Sequence, residues 1–156
     1  MTYERLLEQA ATEGLIVKEK HLKCGDGRIF KNRIAIHKDI PTNIEKACVL
    51  AEELGHYYTN YGDILDQSDV MNRKQEYKAR FRGYNMQVGL MGIISAFNDG
   101  RQNLHDMAEY LEVSESYLLE AINFYKQKYG VYTVVDNYII YFEPYLRIGR
   151  IGEIDE

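Results

Sequence analysis

The run Ala51-Glu52-Glu53-Leu54-Gly55-His56, with Glu76 further on in Gln75-Glu76-Tyr77-Lys78-Ala79-Arg80, holds the side chains of this sequence best suited to chemistry. On helices they trace an H-E-x-x-H zinc site in which Glu52 stands where that motif has its first histidine. In the motif, two ligands four residues apart project from one helical face onto a metal, and the intervening Glu takes a proton from the attacking water. Neighbours at that spacing have Cβ atoms roughly 5–6 Å apart, so Glu52 and His56 can point at one ion. Glu76 would supply a third ligand from the following helix and leave one position open for water, as a catalytic zinc requires. The chemistry implied is hydrolysis.

The substitution at position 52 has a cost. A carboxylate binds zinc at about 2.0–2.2 Å, but it is harder than imidazole and adds negative charge. A Glu-His-Glu set would therefore activate water less strongly and accept manganese or iron more readily than a two-His set. Glu52 and Glu53 also compete for the same roles; Glu52 is preferred as ligand and Glu53 as general base, because only position 52 shares His56's edge of the helix. The bare Glu-Glu-Leu-Gly-His string would equally suit a solvated helix face. What favours a site is the combination of a capped helix, the small Gly55 beside the second ligand, and a carboxylate on the next helix. Cys48 stands about 12 Å along the helix from His56 and does not join it easily. For a stabiliser of the tetrahedral oxyanion, Tyr57, Tyr58, Tyr61 and His105 are candidates among which nothing in the sequence selects. His21 and His37 have no partner at ligand spacing and read as surface or edge residues.

The elements that must position these groups follow from local signals. After Pro41, Thr42-Asn43-Ile44-Glu45 has the T-x-x-E spacing of a capping box and starts a helix that runs to about Asn60. At about 100° per residue, Ile44, Ala47, Cys48, Ala51, Leu54, Gly55 and Tyr58 share its core side. Residues 61–69 turn the chain back into a second helix from about Val70 to at least Tyr84, which carries Glu76. Upstream, Thr2 caps a short helix through Leu6, Leu7 and Ala10 that Gly14 stops. The segments 15–17, 28–30 and 33–37 then alternate as a small antiparallel sheet. Downstream, Leu104, Met107, Ala108 and Leu111, a turn capped by Ser114, and Leu118, Leu119, Ile122 and Tyr125 outline a helix-turn-helix. Segments 131–135 and 138–142 flank Asp136-Asn137 as a hairpin. Pro144 closes the ordered pattern, and residues 147–156 read as a flexible tail, whose Ile148 and Ile151 could dock it.

The expected fold class is α+β: a small antiparallel sheet packed on zincin-like helices, with a helical C-terminal lobe and a terminal β-hairpin. At 156 residues, 46% hydrophobic, the chain suits one domain, with the sheet and metal-site helices in 1–100, the helix-turn-helix-like lobe in 101–130 and the hairpin in 131–145. A net charge of −5 and a pI near 5.4 speak against a surface built to hold nucleic acid or anionic lipid. Residues 103–125 contain no Lys or Arg, so the helix pair reads as a structural lobe or a protein-binding surface, with no direct nucleic-acid binding. Two cysteines, Cys24 and Cys48, make no disulfide framework or C-x-x-C site. No leader pattern and no apolar run of about 20 residues stands out, so no membrane is implied and a cytoplasmic location is expected.

The order of strands, an H-E-L-G-H-like helix, an E-x-x-A helix at Glu76-Tyr77-Lys78-Ala79 and a small helical C-terminal part resembles the ImmA/IrrE family of metallo-endopeptidases over roughly residues 15–130. Such proteins, typically of phage, mobile-element or stress-response origin, cleave a partner transcriptional repressor that carries a helix-turn-helix domain. The resemblance implies His56 and Glu76 as zinc ligands and Glu53 as general base. Glu52, in the first ligand's place, departs from the family pattern, which leaves a catalytically inactive pseudo-peptidase that binds a regulator as the alternative.

Overall fold

In a computed structural model that describes residues 1–60 and 69–152, the chain forms six helices and two three-stranded sheets among the described residues. The first helix, α1 (Tyr3–Thr12), starts where Thr2 Oγ1 accepts the Arg5 N–H at 3.2 Å, and it ends before Gly14, whose φ of +78° favours glycine. Strands β1 (Ile16–Lys20), β2 (Gly27–Phe30) and β3 (Arg33–His37) follow. β2 and β3 form a hairpin around Lys31-Asn32, with Phe30 paired to Arg33. β1 pairs with β3 rather than β2, and in parallel, so the sheet has order β1-β3-β2 and is mixed where antiparallel pairing throughout was expected. Alternation of side chains fixes which face a strand buries but names no partner, so the direction of β1 was not readable from its pattern. The face set by Ile34 and Ile36 is fully covered by the helices.

Helix α2 (Asn43–Asn60) begins as its capping motif predicts. Thr42 Oγ1 accepts the Glu45 N–H at 3.1 Å and donates its own proton to the Glu45 carboxylate at 2.8 Å. Ala47, Leu50, Ala51 and Leu54 are buried against Leu6, Ala10 and the sheet. Ile44, expected on that face, is 43% exposed, because the first turn of α2 reaches the surface beside Tyr3. Helix α3 (Asp69–Gln87) packs along α2, and two glycines set how closely. A Cβ on Gly55 would fall within 3 Å of the Ala79 carbonyl oxygen, and one on Gly83 would lie 3.2 Å from that of Ala51. Backbone therefore meets backbone across the pair. The expected turn at residues 61–69 lies, up to residue 68, outside the described residues, as does Tyr61.

A second apolar cluster, reached from α2 through Cys48, gathers α4 (Gly89–Asn98), α5 (Leu104–Leu111), α6 (Glu115–Tyr129) and the C-terminal sheet. The helix-turn-helix outline is present: Asn103 caps α5 by accepting the Asp106 N–H, Glu112 ends it in the left-handed region, and Ser114 caps α6 through the Tyr117 N–H. Met107, Ala108, Leu118, Ile122 and Tyr125 are buried, while Leu119 is exposed. β4 (Tyr132–Val135) and β5 (Tyr138–Tyr141) make the hairpin over Asp136-Asn137. Ordered structure continues past Pro144: β6 (Arg147–Arg150) pairs antiparallel with β5, and Ile148 packs on the core, so the reading of a tail from residue 147 is corrected up to residue 150. Residues 153–156 lie outside the described residues. No helix among those described is long and apolar enough to cross a membrane.

Candidate metal centre

The close approach at Gly55 and Gly83 brings the exposed edge of α2 beside that of α3. Glu52, His56 and Glu76 then each offer one ligand atom, and these atoms all lie within 4.8 Å of one another. His56 Nε2 is 3.6 Å from Glu76 Oε2, too long for a hydrogen bond and close to the edge of a coordination shell. The two side chains are 20% and 41% exposed, so the site opens to solvent on one side. One imidazole and two carboxylates from rigid helices fit a divalent cation, by number and by atom type.

Glu53, next along α2, is not among these ligand atoms. It is 8% exposed and wedged under β2, where a Cβ on Gly27 would sit 2.8 Å from Glu53 Oε1. That explains the glycine: the backbone of the edge strand passes directly over the carboxylate. Burial, and then the charges of Glu52 and Glu76, push the Glu53 carboxyl up to about 7. Burial also raises Glu52, opposed by His56 and reinforced by Glu76, although Glu52 keeps much of its surface open to the cleft. A carboxyl poised near neutrality beside a ligand cluster is what a general base needs.

Of the expected oxyanion stabilisers, Tyr58 and His105 are bound to partners outside the ligand set. The Tyr58 hydroxyl donates to Glu13 and accepts from Gln9 Nε2, which ties it to α1, and Tyr57 packs on the N-terminal core. His105 Nδ1 is 2.6 Å from Glu115 Oε1 on the C-terminal lobe. Arg80 is the residue that sequence reasoning missed. Its Nε donates to Glu76 Oε1 at 3.1 Å, and it lines, with Cys48, Glu52, Tyr84, Tyr117 and Glu120, a cleft of about 490 Å³ running from Glu52 toward α6. The signal was its position four residues after Glu76, on the same face. Cys48 faces this cleft as a buried thiol raised to about 11, mainly by burial, and it is not part of the ligand cluster.

Arg80 places a fixed positive charge against one ligand, in competition with a metal. Arg80→Ala should therefore tighten zinc binding at this site by about two- to five-fold, the range of one partly screened ion pair. Calorimetric titration at fixed ionic strength measures it, and an unchanged or weakened affinity would show that Arg80 holds Glu76 in place more than it opposes the cation.

No protein-family model matches this chain, and no curated protein sequence matches it.

Proposed function

We propose that this chain is a cytoplasmic, metal-dependent endopeptidase of the ImmA/IrrE kind that cleaves a helix-turn-helix transcriptional repressor in phage or mobile-element regulation. The observation that carries the reading is the convergence of Glu52, His56 and Glu76 on one point, with Glu53 buried next to them. A divalent cation held by those three side chains, zinc or, given two carboxylates, manganese or iron, would supply Lewis-acid polarisation. The chain does the rest. Glu53 takes the proton from the attacking water and passes it to the leaving amine. Arg80, which shares the cleft with Glu52, offers a guanidinium to the developing oxyanion. The edge strand β2 and the cleft toward α6 flank the ligands and offer an extended peptide a bed on both sides.

A second reading has its own support: Glu52 replaces a histidine, and Arg80 already neutralises part of the carboxylate cluster without a metal. The protein would then hold the repressor without cutting it. Incubating the purified chain with the helix-turn-helix repressors of the same genome, with added zinc or manganese and with a chelator, separates the two. Cleavage that needs metal supports the peptidase. Stable binding with both chains intact favours the pseudo-peptidase, and neither result with any repressor would sink the repressor proposal.

A further inference from the structure

We propose a second metal site, outside the first, formed by His21, His37 and Asp39 and selective for a borderline transition ion such as zinc or nickel. No spacing in the sequence joins these residues; the parallel pairing of β1 with β3 does. Lys20, the last residue of β1, is the register partner of His37, the last of β3, and the Lys38 N–H donates to the Lys20 carbonyl at 3.0 Å. His21 therefore leaves the sheet directly beside His37. The 21–26 loop returns against the same point, since the His37 N–H donates to the Asp26 carbonyl at 2.7 Å. A turn closed by the Ile40 N–H on the His37 carbonyl then swings Asp39 back over the imidazole.

The side chains match what one ion needs. One atom from each of the three lies within 4.8 Å of the others. The imidazole centroids are 5.3 Å apart at an interplanar angle of 75°, and two histidines bound at about 2.0–2.1 Å in tetrahedral geometry place their rings about 5 Å apart. Asp39 Oδ2 is 3.9 Å from His37 Nδ1, against about 3.4 Å between neighbouring ligands of such an ion. Binding through Nδ1 gives up only the 3.1 Å hydrogen bond that this atom accepts from the Asp39 N–H. All three ligand residues keep solvent-facing surface, so small rotamer changes can close the shell.

The chemistry sets the class of ion. The site has one carboxylate, and Lys20 and Lys38 stand next to His21 and Asp39 in sequence, so charge alone would not hold calcium or magnesium. Two neutral imidazoles bind zinc or nickel by donor strength instead. They also exceed the single imidazole of the Glu52 cluster, so zinc should fill this site first. Bound there, the ion would staple the 21–26 loop to β3 just before Gly27, the residue that covers Glu53.

Zinc titration of the untagged full chain tests this, with stoichiometry read by elemental analysis after buffer exchange and affinity by calorimetry. Two equivalents are expected in the unaltered chain. His21→Ala and His37→Ala should each remove the tighter one, weakening it at least about tenfold, while His56→Ala should leave it untouched. Millimolar magnesium should not compete. Unchanged tight binding in both His21→Ala and His37→Ala would overturn the site, as would magnesium displacing the zinc. Asp39→Asn and the imidazole proton resonances of the unaltered chain give a second reading: a joint shift of His21 and His37 at one equivalent supports the site, and no shift of either removes it.

Discussion

Glu53→Gln should reduce repressor cleavage by about 10²- to 10⁴-fold, the usual contribution of a positioned general base, with metal content unchanged. Glutamine keeps the size of the side chain under Gly27 and loses only the ability to take a proton. The pH profile carries the same argument. The base works when deprotonated, so activity should rise with pH and level off above the Glu53 pKa. That pKa is about 7 in the metal-free protein, and a cation at the neighbouring ligands lowers it, so the acid limb of cleavage should fall below 7. Stability moves in the opposite direction. Because the folded-state pKa of Glu53 is raised above its ordinary value of 4.5, the folded state binds the extra proton between these limits, and stability is lost as pH rises from about 4.5 through 7. The full effect approaches about 3 kcal/mol. Metal-free Glu53→Gln should thus melt higher than the unaltered chain at pH 8 and equally at pH 4. Cleavage persisting in Glu53→Gln would rule Glu53 out as base, and equal melting at pH 8 would show that its carboxyl is not strained by burial.

What could be read from the sequence was local. The Thr42 to Glu45 cap, the α2 period and the four-residue step from Glu52 to His56 depend on neighbours along one helix, and the structure keeps each of them. The two helices of the C-terminal lobe were legible for the same reason, through their Asn103 and Ser114 starts and their apolar spacing. Pairing across the chain was not legible. β1 has no feature that names β3 as its partner, and β6, four residues containing a glycine and two arginines, becomes a strand only because β5 offers it an edge. The site divides along the same line. Arg80 stands at helical spacing from Glu76, a local signal, whereas His21 and His37 meet only after the parallel pair has formed. The convergence of Glu52, His56 and Glu76 depends on a close approach of two helices, and the residues that allow it are the glycines.

Gly55→Ala tests that dependence, and should lower stability by about 3 kcal/mol while greatly weakening metal binding. Adding a methylene to a packed interior ordinarily costs about 1–3 kcal/mol, and here the new Cβ would meet the Ala79 carbonyl oxygen, a backbone atom that no rotamer change can move aside. The helices must separate or slide. Either motion carries Glu76, three residues before Ala79, away from Glu52 and His56, and a ligand set spread over about 4.8 Å has little slack before the third bond is lost. Helix propensity acts in the reverse sense, since alanine in a helix interior is worth up to about 1 kcal/mol over glycine. A net loss therefore measures the contact itself. Gly149→Ala is the control, because a Cβ there meets nothing within 4 Å, and its melting temperature should stay near that of the unaltered chain. If Gly55→Ala instead melts higher and keeps its zinc at the Glu52 cluster, α2 and α3 do not pack backbone to backbone, and the metal centre must be held by other means.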